Sequence, residues 1–200
     1  ELFAVVDLFE EQPPLRRSLS DPSASSEDRQ VLARRLFEGR LGTASLSVVL
    51  EAVSRPWPSG RAMIEAIERQ GVRGLFRVAS ARGELKRVQE ELHQLVLLID
   101  SSPELSDALR NRGRSLADRR ALIVRLLTGR VASVTEVLAL RAAAARARTV
   151  PLTLTGYLAL SADLAGERVA RITVARPLDA GRVERLRKAL EAQVGGPVLL

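Results

Sequence analysis

Shifted by ninety positions, the sequence aligns with itself without a gap, and no other feature constrains the fold as much. Glu1-Leu2 falls on Glu91-Leu92, Val6 on Val96 and Leu8 on Leu98. Pro13, Leu15 and Leu19 fall on Pro103, Leu105 and Leu109. Ser25, Asp28, Arg29, Leu32, Arg35 and Leu36 fall on Ser115, Asp118, Arg119, Leu122, Arg125 and Leu126, and Gly39-Arg40 falls on Gly129-Arg130. Where residues differ they often keep their character, as Phe9 and Ile99 or Leu41 and Val131 do. A shared composition rich in Leu and Arg yields scattered identities, but not Pro, Gly, Ser and Asp at fixed places.

Each repeated feature has a physical reading. Proline is tolerated at a helix start and not inside, so Pro13 and Pro103 each mark a short helix beginning where another ends. Ser25 and Ser115 stand three residues before Asp28 and Asp118, close to a capping box. In the run that follows, Leu32 and Leu36, or Leu122 and Leu126, share one helical face. Gly39 and Gly129 supply the positive φ that stops that helix. Thr43 and Ser133 are the expected caps of the next one, with Glu136 three residues beyond Ser133. The chain is therefore built on a duplicated helical module.

Helices are expected near 1–12, 14–20, 26–38 and 43–54, before Arg55-Pro56-Trp57-Pro58-Ser59-Gly60 breaks the chain. A long helix near 61–81 then closes the first module and opens the second, whose remaining helices run near 84–100, 103–110, 116–128 and 133–147. Pro151 opens a last long helix to about Ala165. After Gly166 the pattern changes: Val169 to Val174 is β-branched and partly alternating, a strand signal. Pro177-Leu178-Asp179 ends it, with Asp179 placed to cap a helix from Gly181 to Gln193. Gly195-Gly196 stops that helix, and Pro197 to Leu200 begins a second extended run.

The expected fold is mostly α: two tandem helical-bundle modules followed by the start of a small α/β domain. The boundaries expected are 1–60 for the first module, 61–167 for the second and 168–200 for the α/β part. A strand–helix–strand unit ending in its second strand cannot cover its own sheet, so the sheet is expected to continue past Leu200. Glu1 matches Glu91, which lies well inside a helix, so the first module is expected to be incomplete at its start.

Composition narrows the function. Cysteine is absent, which removes disulfide and thiolate chemistry from the chain. The longest apolar run, Leu95 to Ile99, is far short of the ~20 residues that cross a bilayer. The net charge of +7 invites a nucleic-acid partner, but the arginines are interleaved with acids rather than gathered into a stripe. They read as a solvated helix surface, and an arginine-rich helical nucleic-acid-binding protein is the alternative. No Walker-type phosphate loop is present, since Gly39-Arg40 and Gly129-Arg130 lack the flanking glycines and the Lys-Ser/Thr pair. His93 is the sole histidine and matches Phe3, so a partly buried packing role is expected for it. Neighbouring carboxylates such as Glu90-Glu91 and Glu10-Glu11 point in different directions on a helix and read as solvated surface. Trp57 is expected to cover the junction between modules.

The second module and the tail resemble the delta subunit of F-type ATP synthases, the family of the oligomycin-sensitivity-conferring protein. The resemblance is carried by Leu85-Lys86-Arg87-Val88-Gln89-Glu90-Glu91-Leu92, Ser102-Pro103-Glu104-Leu105 and Ser115 to Gly129. It continues through Ala170 to Leu178 and the helix from Arg182 to Leu190, covering about 75 to 200. That family places a six-helix domain before a small α/β domain that opens with such a strand and a Pro-Leu corner. The upstream copy is similar to the longer delta subunits of actinobacteria, in which the helical domain is duplicated and in some lineages fused to the b subunit. The family's Gly-rich segment after the second strand has no counterpart before Leu200.

The resemblance implies a mechanical role rather than catalysis, with no cofactor and no metal. It implies a stator subunit on the cytoplasmic face of the cell membrane, peripheral and without membrane insertion. Its helical domain would bind N-terminal helices of α subunits, and its C-terminal domain the b subunit of the peripheral stalk. In the family the receiving groove lies between the first and fifth helices of the domain. Carried onto this chain, the first helix offers Leu75, Phe76 and Ala79, and the fifth offers Val134, Val137, Leu138 and Arg141.

Overall fold

Local chemistry places the helix ends. The computed structural model describes residues 1–200 apart from Arg112, Arg146, Ala147, Arg171, Thr173, Ala175, Pro177 and Leu200, and the side chains of Arg168, Val169 and Ala180. Its helices are α1 Leu2–Glu11, α2 Pro13–Ser20, α3 Ser26–Phe37, α4 Thr43–Ser54 and α5 Gly60–Ala81. They continue as α6 Leu85–Ser101, α7 Pro103–Arg110, α8 Leu116–Leu127, α9 Ser133–Ala144, α10 Val150–Ala165 and α11 Ala180–Val194. The fold is mostly α, as expected. Pro13 and Pro103 each occupy the first helical turn of α2 and α7. The Ser25 hydroxyl accepts from the Asp28 amide at 3.0 Å, and Ser115 accepts from Asp118 at 3.1 Å. In the second copy the box is complete, because the Asp118 carboxylate also accepts from the Ser115 amide at 3.2 Å. Gly39 and Gly129 adopt φ of 74° and 75° just past α3 and α8.

The helices after these glycines are not capped by their own side chains. The N-cap residues are Gly42 and Ala132, not Thr43 and Ser133, and neither offers a side-chain oxygen. A carboxylate from a distant helix replaces it in both copies. Glu1 accepts from the Gly42 amide at 3.2 Å, and Glu91 accepts from the Ala132 amide at 2.9 Å. A negative group at the positive end of the helix dipole satisfies the orphan amide and favours the charged acid. Helix α9 also ends earlier than its apolar pattern, at Ala144, where the Ala145 amide turns back to Ala142.

The chain divides into two compact units, Glu1–Gly74 and Leu75–Leu200, with the boundary inside α5. The first unit packs α3 on α4 and α2 on α3 around Val6, Phe9, Phe37, Val53, Met63 and Ile67. Phe9 and Phe37 meet edge to face at 5.9 Å. Trp57 packs on this core and donates its indole N–H to the Ala52 carbonyl at 2.6 Å. The second unit packs α10 on α6 and α8 on α9, with α9 also against α10 and α6. The repeat keeps core volume by moving it. Phe9, Ala33 and Phe37 of the first core correspond to Ile99, Ile123 and Leu127 of the second, all buried. Two large aromatics and one small residue become three aliphatics of middle size.

Beyond α10, β1 Arg168–Val169 pairs in parallel with β2 Val198–Leu199, with α11 as the crossover between them. Of the expected strand from Val169 to Val174, Val169 lies in β1, and the Ala170 amide reaches the Leu199 carbonyl at 2.9 Å. Arg171 and Thr173 of that run, Pro177 of the corner after it, and Leu200 lie outside the described residues. The Asp179 carboxylate caps α11 by accepting from the Arg182 amide at 2.8 Å, as its position predicts.

Candidate interaction surface on the second unit

Seven residues were expected to line a groove for a partner helix, and the structure gives them different environments. On the part of α5 that belongs to the second unit, Phe76 and Ala79 are buried and Leu75 is half-buried. On α9, Val134, Leu138 and Arg141 are buried, whereas Val137 is 42% exposed. Leu75 and Val137 are therefore the two of the seven that reach solvent, while the other five are buried. Sequence reading missed Val78, which is 41% exposed on α5. Its signal was available: Val78 lies three residues after Leu75, on the same helical stripe. Arg82 follows it by one turn and is exposed.

Helix α9 is buried along most of its circumference, and only a window of Ser133, Glu136, Val137 and Leu140 reaches solvent. Its principal packing partners are α8, α10 and α6. The helices α5 and α9 are not packed extensively on each other.

Glu91 sets the position of α9. It was read as solvated surface, but it lies half-buried and accepts hydrogen bonds from Ala132 N–H, Thr135 Oγ1 and, at 2.8 Å, Arg87 Nε. Burial is the largest single influence and pushes its carboxyl up. The hydrogen bonds from Thr135, Ala132 and Arg87 together outweigh burial and hold it below the ordinary glutamate value. A second polar tie joins α6 to α10: the buried Gln89 side chain donates to Ser161 Oγ at 3.2 Å and to Glu167 at 3.1 Å. His93 is half-buried on α6. No cluster of three or more metal-ligating side chains occurs among the described residues. No described helix is long and apolar enough to cross a membrane.

Comparison with known proteins covers both units. The family model described as ATP synthase delta (OSCP) subunit matches residues 67–200, so it begins within α5 and takes in the whole second unit. The chain is 40% identical over 179 residues to the ATP synthase subunit delta of Corynebacterium urealyticum, an alignment covering 89% of this chain and 65% of that protein. It is 35% identical to the ATP synthase subunit delta of Cutibacterium acnes over 100% of this chain and 76% of that protein. That of Corynebacterium jeikeium is 36% identical over 98% of this chain and 72% of its own length. These relatives share the upstream copy, because their alignments extend well before residue 67. The chain spans between 65% and 76% of the length of these relatives.

Proposed function

The chain belongs to the ATP synthase delta (OSCP) subunit family, and we propose that it acts there as a non-catalytic stator connector. In this reading residues 61–167 form the helical module that grips the catalytic head through N-terminal helices of α subunits. Residues 168–200 begin the α/β domain that engages the b-subunit stalk, and residues 1–60 are the additional module of the long actinobacterial form. The subunit is peripheral and works at the cytoplasmic face of the membrane, holding the head still while the rotor turns.

The observation that carries the reading is the pair of exposed valines, Val78 on α5 and Val137 on α9, each beside buried apolar residues of its own helix. An amphipathic helix laid between them removes that apolar area from water, at about 25 cal/mol per Å². The repeat sets α9 apart from its counterpart α4. Val134 and Arg141 of α9 are buried, whereas their counterparts Ala44 and Glu51 on α4 are exposed. On α5 of the second unit, Phe76 and Ala79 are buried.

The test is titration against isolated α/β catalytic head at physiological salt, with duplex DNA in parallel. Saturable binding to the head and none to DNA is the expected result. No affinity for the head ends the stator reading. The alternative, an arginine-rich nucleic-acid binder, predicts DNA binding that weakens steeply with salt, and neither the family match nor the relatives lend it support.

A further inference from the structure

We propose that α5 carries a joint at Gly74, weakened further by like charges on either side, where the helix opens locally while both packed cores stay folded. The inference concerns α5 itself and does not depend on the stator reading.

Helix α5 is two helices run together. The ninety-residue repeat matches α10, Val150–Ala165, to the stretch 60–75. Met63, Ile64, Ile67 and Val72 fall on Thr153, Leu154, Tyr157 and Ala162, and all eight are buried. Helix α10 stops there, because Gly166 takes a φ of 69° and closes it. The matched position on α5 is Phe76, and that helix runs through it to Ala81. The boundary between the compact units falls between Gly74 and Leu75, so it coincides with the junction of the two helices.

That junction is the weakest stretch of α5. Glycine in a helix interior is unfavourable, because it has the most backbone freedom to lose. Gly71 has a packing reason, since a Cβ there would come within 2.7 Å of the Phe3 ring. Gly74 has none: a Cβ built on it meets nothing within 4 Å. Its φ is not positive, so its backbone does not call for glycine either. Charge adds to the weakness. Arg69, Arg73 and Arg77 stand at i, i+4 and i+8 across Gly74, and like charges at that spacing destabilise a helix. No carboxylate lies three or four residues from Arg73 or Arg77. Glu65, four residues before Arg69, is bonded to Arg61 Nε at 3.1 Å. Helix α6 is built differently, with the Arg87–Glu91 pair at 2.8 Å and no glycine. A long helix yields first where propensity and charge both oppose it, and hinges are a few residues at the edge of packed bodies.

The experiment follows amide hydrogen exchange along α5 in the complete chain, read by mass spectrometry. Opening at Gly74 breaks the hydrogen bonds that amides 75–78 make to carbonyls four residues earlier. These amides should exchange at least about tenfold faster than amides 66–70 of the same helix. Gly74→Ala should slow them about fivefold, the difference between the two residues in a helix interior. Arg73→Glu turns two repulsive spacings into attractive ones and should slow them about two- to fivefold, with less effect at high salt. Gly156→Ala, inside α10, is the control and should leave them unchanged. Equal protection of 75–78 and 66–70 overturns the joint. Equal slowing by Gly74→Ala and Gly156→Ala overturns it too, because the opening would then be global unfolding. Exchange indifferent to Arg73→Glu overturns the part assigned to the arginines.

Discussion

Arg29 Nε donates to the carbonyl oxygen of Val53 at 2.7 Å, joining residues that are 24 apart in sequence. The same guanidinium reaches Asp21 and Ala24 carbonyls at 2.7 and 2.6 Å through Nη1, and the Ser54 carbonyl at 3.2 Å through Nη2. It is only 6% exposed. Val53 and Ser54 close α4, so a buried cation caps the negative end of that helix and also ties down the loop leading into α3. In the second copy the corresponding Arg119 is half-buried, and its Nε is buried without a hydrogen-bond partner.

Replacing Arg29 by Met should destabilise the first unit by about 2–4 kcal/mol, because buried carbonyls lose charged donors. Arg29→Lys should recover little, since one ammonium cannot reproduce a planar fork that serves four oxygens. Arg119→Met should cost clearly less, as one of its donors is already unsatisfied. Urea unfolding of the three variants measures this, and an equal loss at both positions would refute the difference.

Glu91→Gln should weaken the second unit by roughly 1–2 kcal/mol at neutral pH, the scale of a lost charged helix cap. The sign of the pH effect follows from the depressed carboxyl. Its stabilising contribution is fully present above the unfolded value near 4.5 and is lost as the pH falls through the lower folded value. Wild type should therefore lose melting temperature on acidification below that range more steeply than Glu91→Gln. Parallel slopes for the two proteins would show that the cap does not control acid stability.

Gly39→Ala and Gly129→Ala should each cost about 1–2 kcal/mol. A Cβ built at either glycine meets nothing within 4 Å, so the whole penalty is the left-handed backbone and none of it is crowding. Asn at either position should restore part of the loss, because its side chain tolerates that region. Thermal melts of the Ala and Asn pair separate the two causes: equal penalties would point to space instead of conformation.

Ala33→Ile, which copies Ile123 into the first core, should by itself cost about 1–3 kcal/mol by overpacking. Combining it with Phe9→Ile and Phe37→Leu should recover most of that loss, since the three positions then carry the volumes of the second copy. A double-mutant analysis that finds the three changes additive would show that the two cores do not share one packing solution.

Helix boundaries were legible in the sequence because their causes are local. A proline at the first turn, a Ser three residues before an Asp, and a glycine past the last apolar position act within a few residues. The repeat read each of them twice, at Pro13 and Pro103, Ser25 and Ser115, and Gly39 and Gly129. The mostly helical class and the family resemblance follow from that order and spacing. The capping of α4 and α9 was not legible, because the cap is a carboxylate about forty residues away, at Glu1 and Glu91. The role of Arg29 was hidden for the same reason, since its partners are carbonyls brought close only by packing.

The interaction surface divides in the same way. The family resemblance singled out Val134, Val137, Leu138 and Arg141 on one helix and Leu75, Phe76 and Ala79 on another, and periodicity assigned each set to its helix. It could not separate the outward Val137 and Val78 from the buried residues beside them. Periodicity says which residues share a face, whereas the neighbours that cover that face belong to other helices. Only the folded chain, with α9 enclosed by α6, α8 and α10, decides which apolar side chains stay in contact with water.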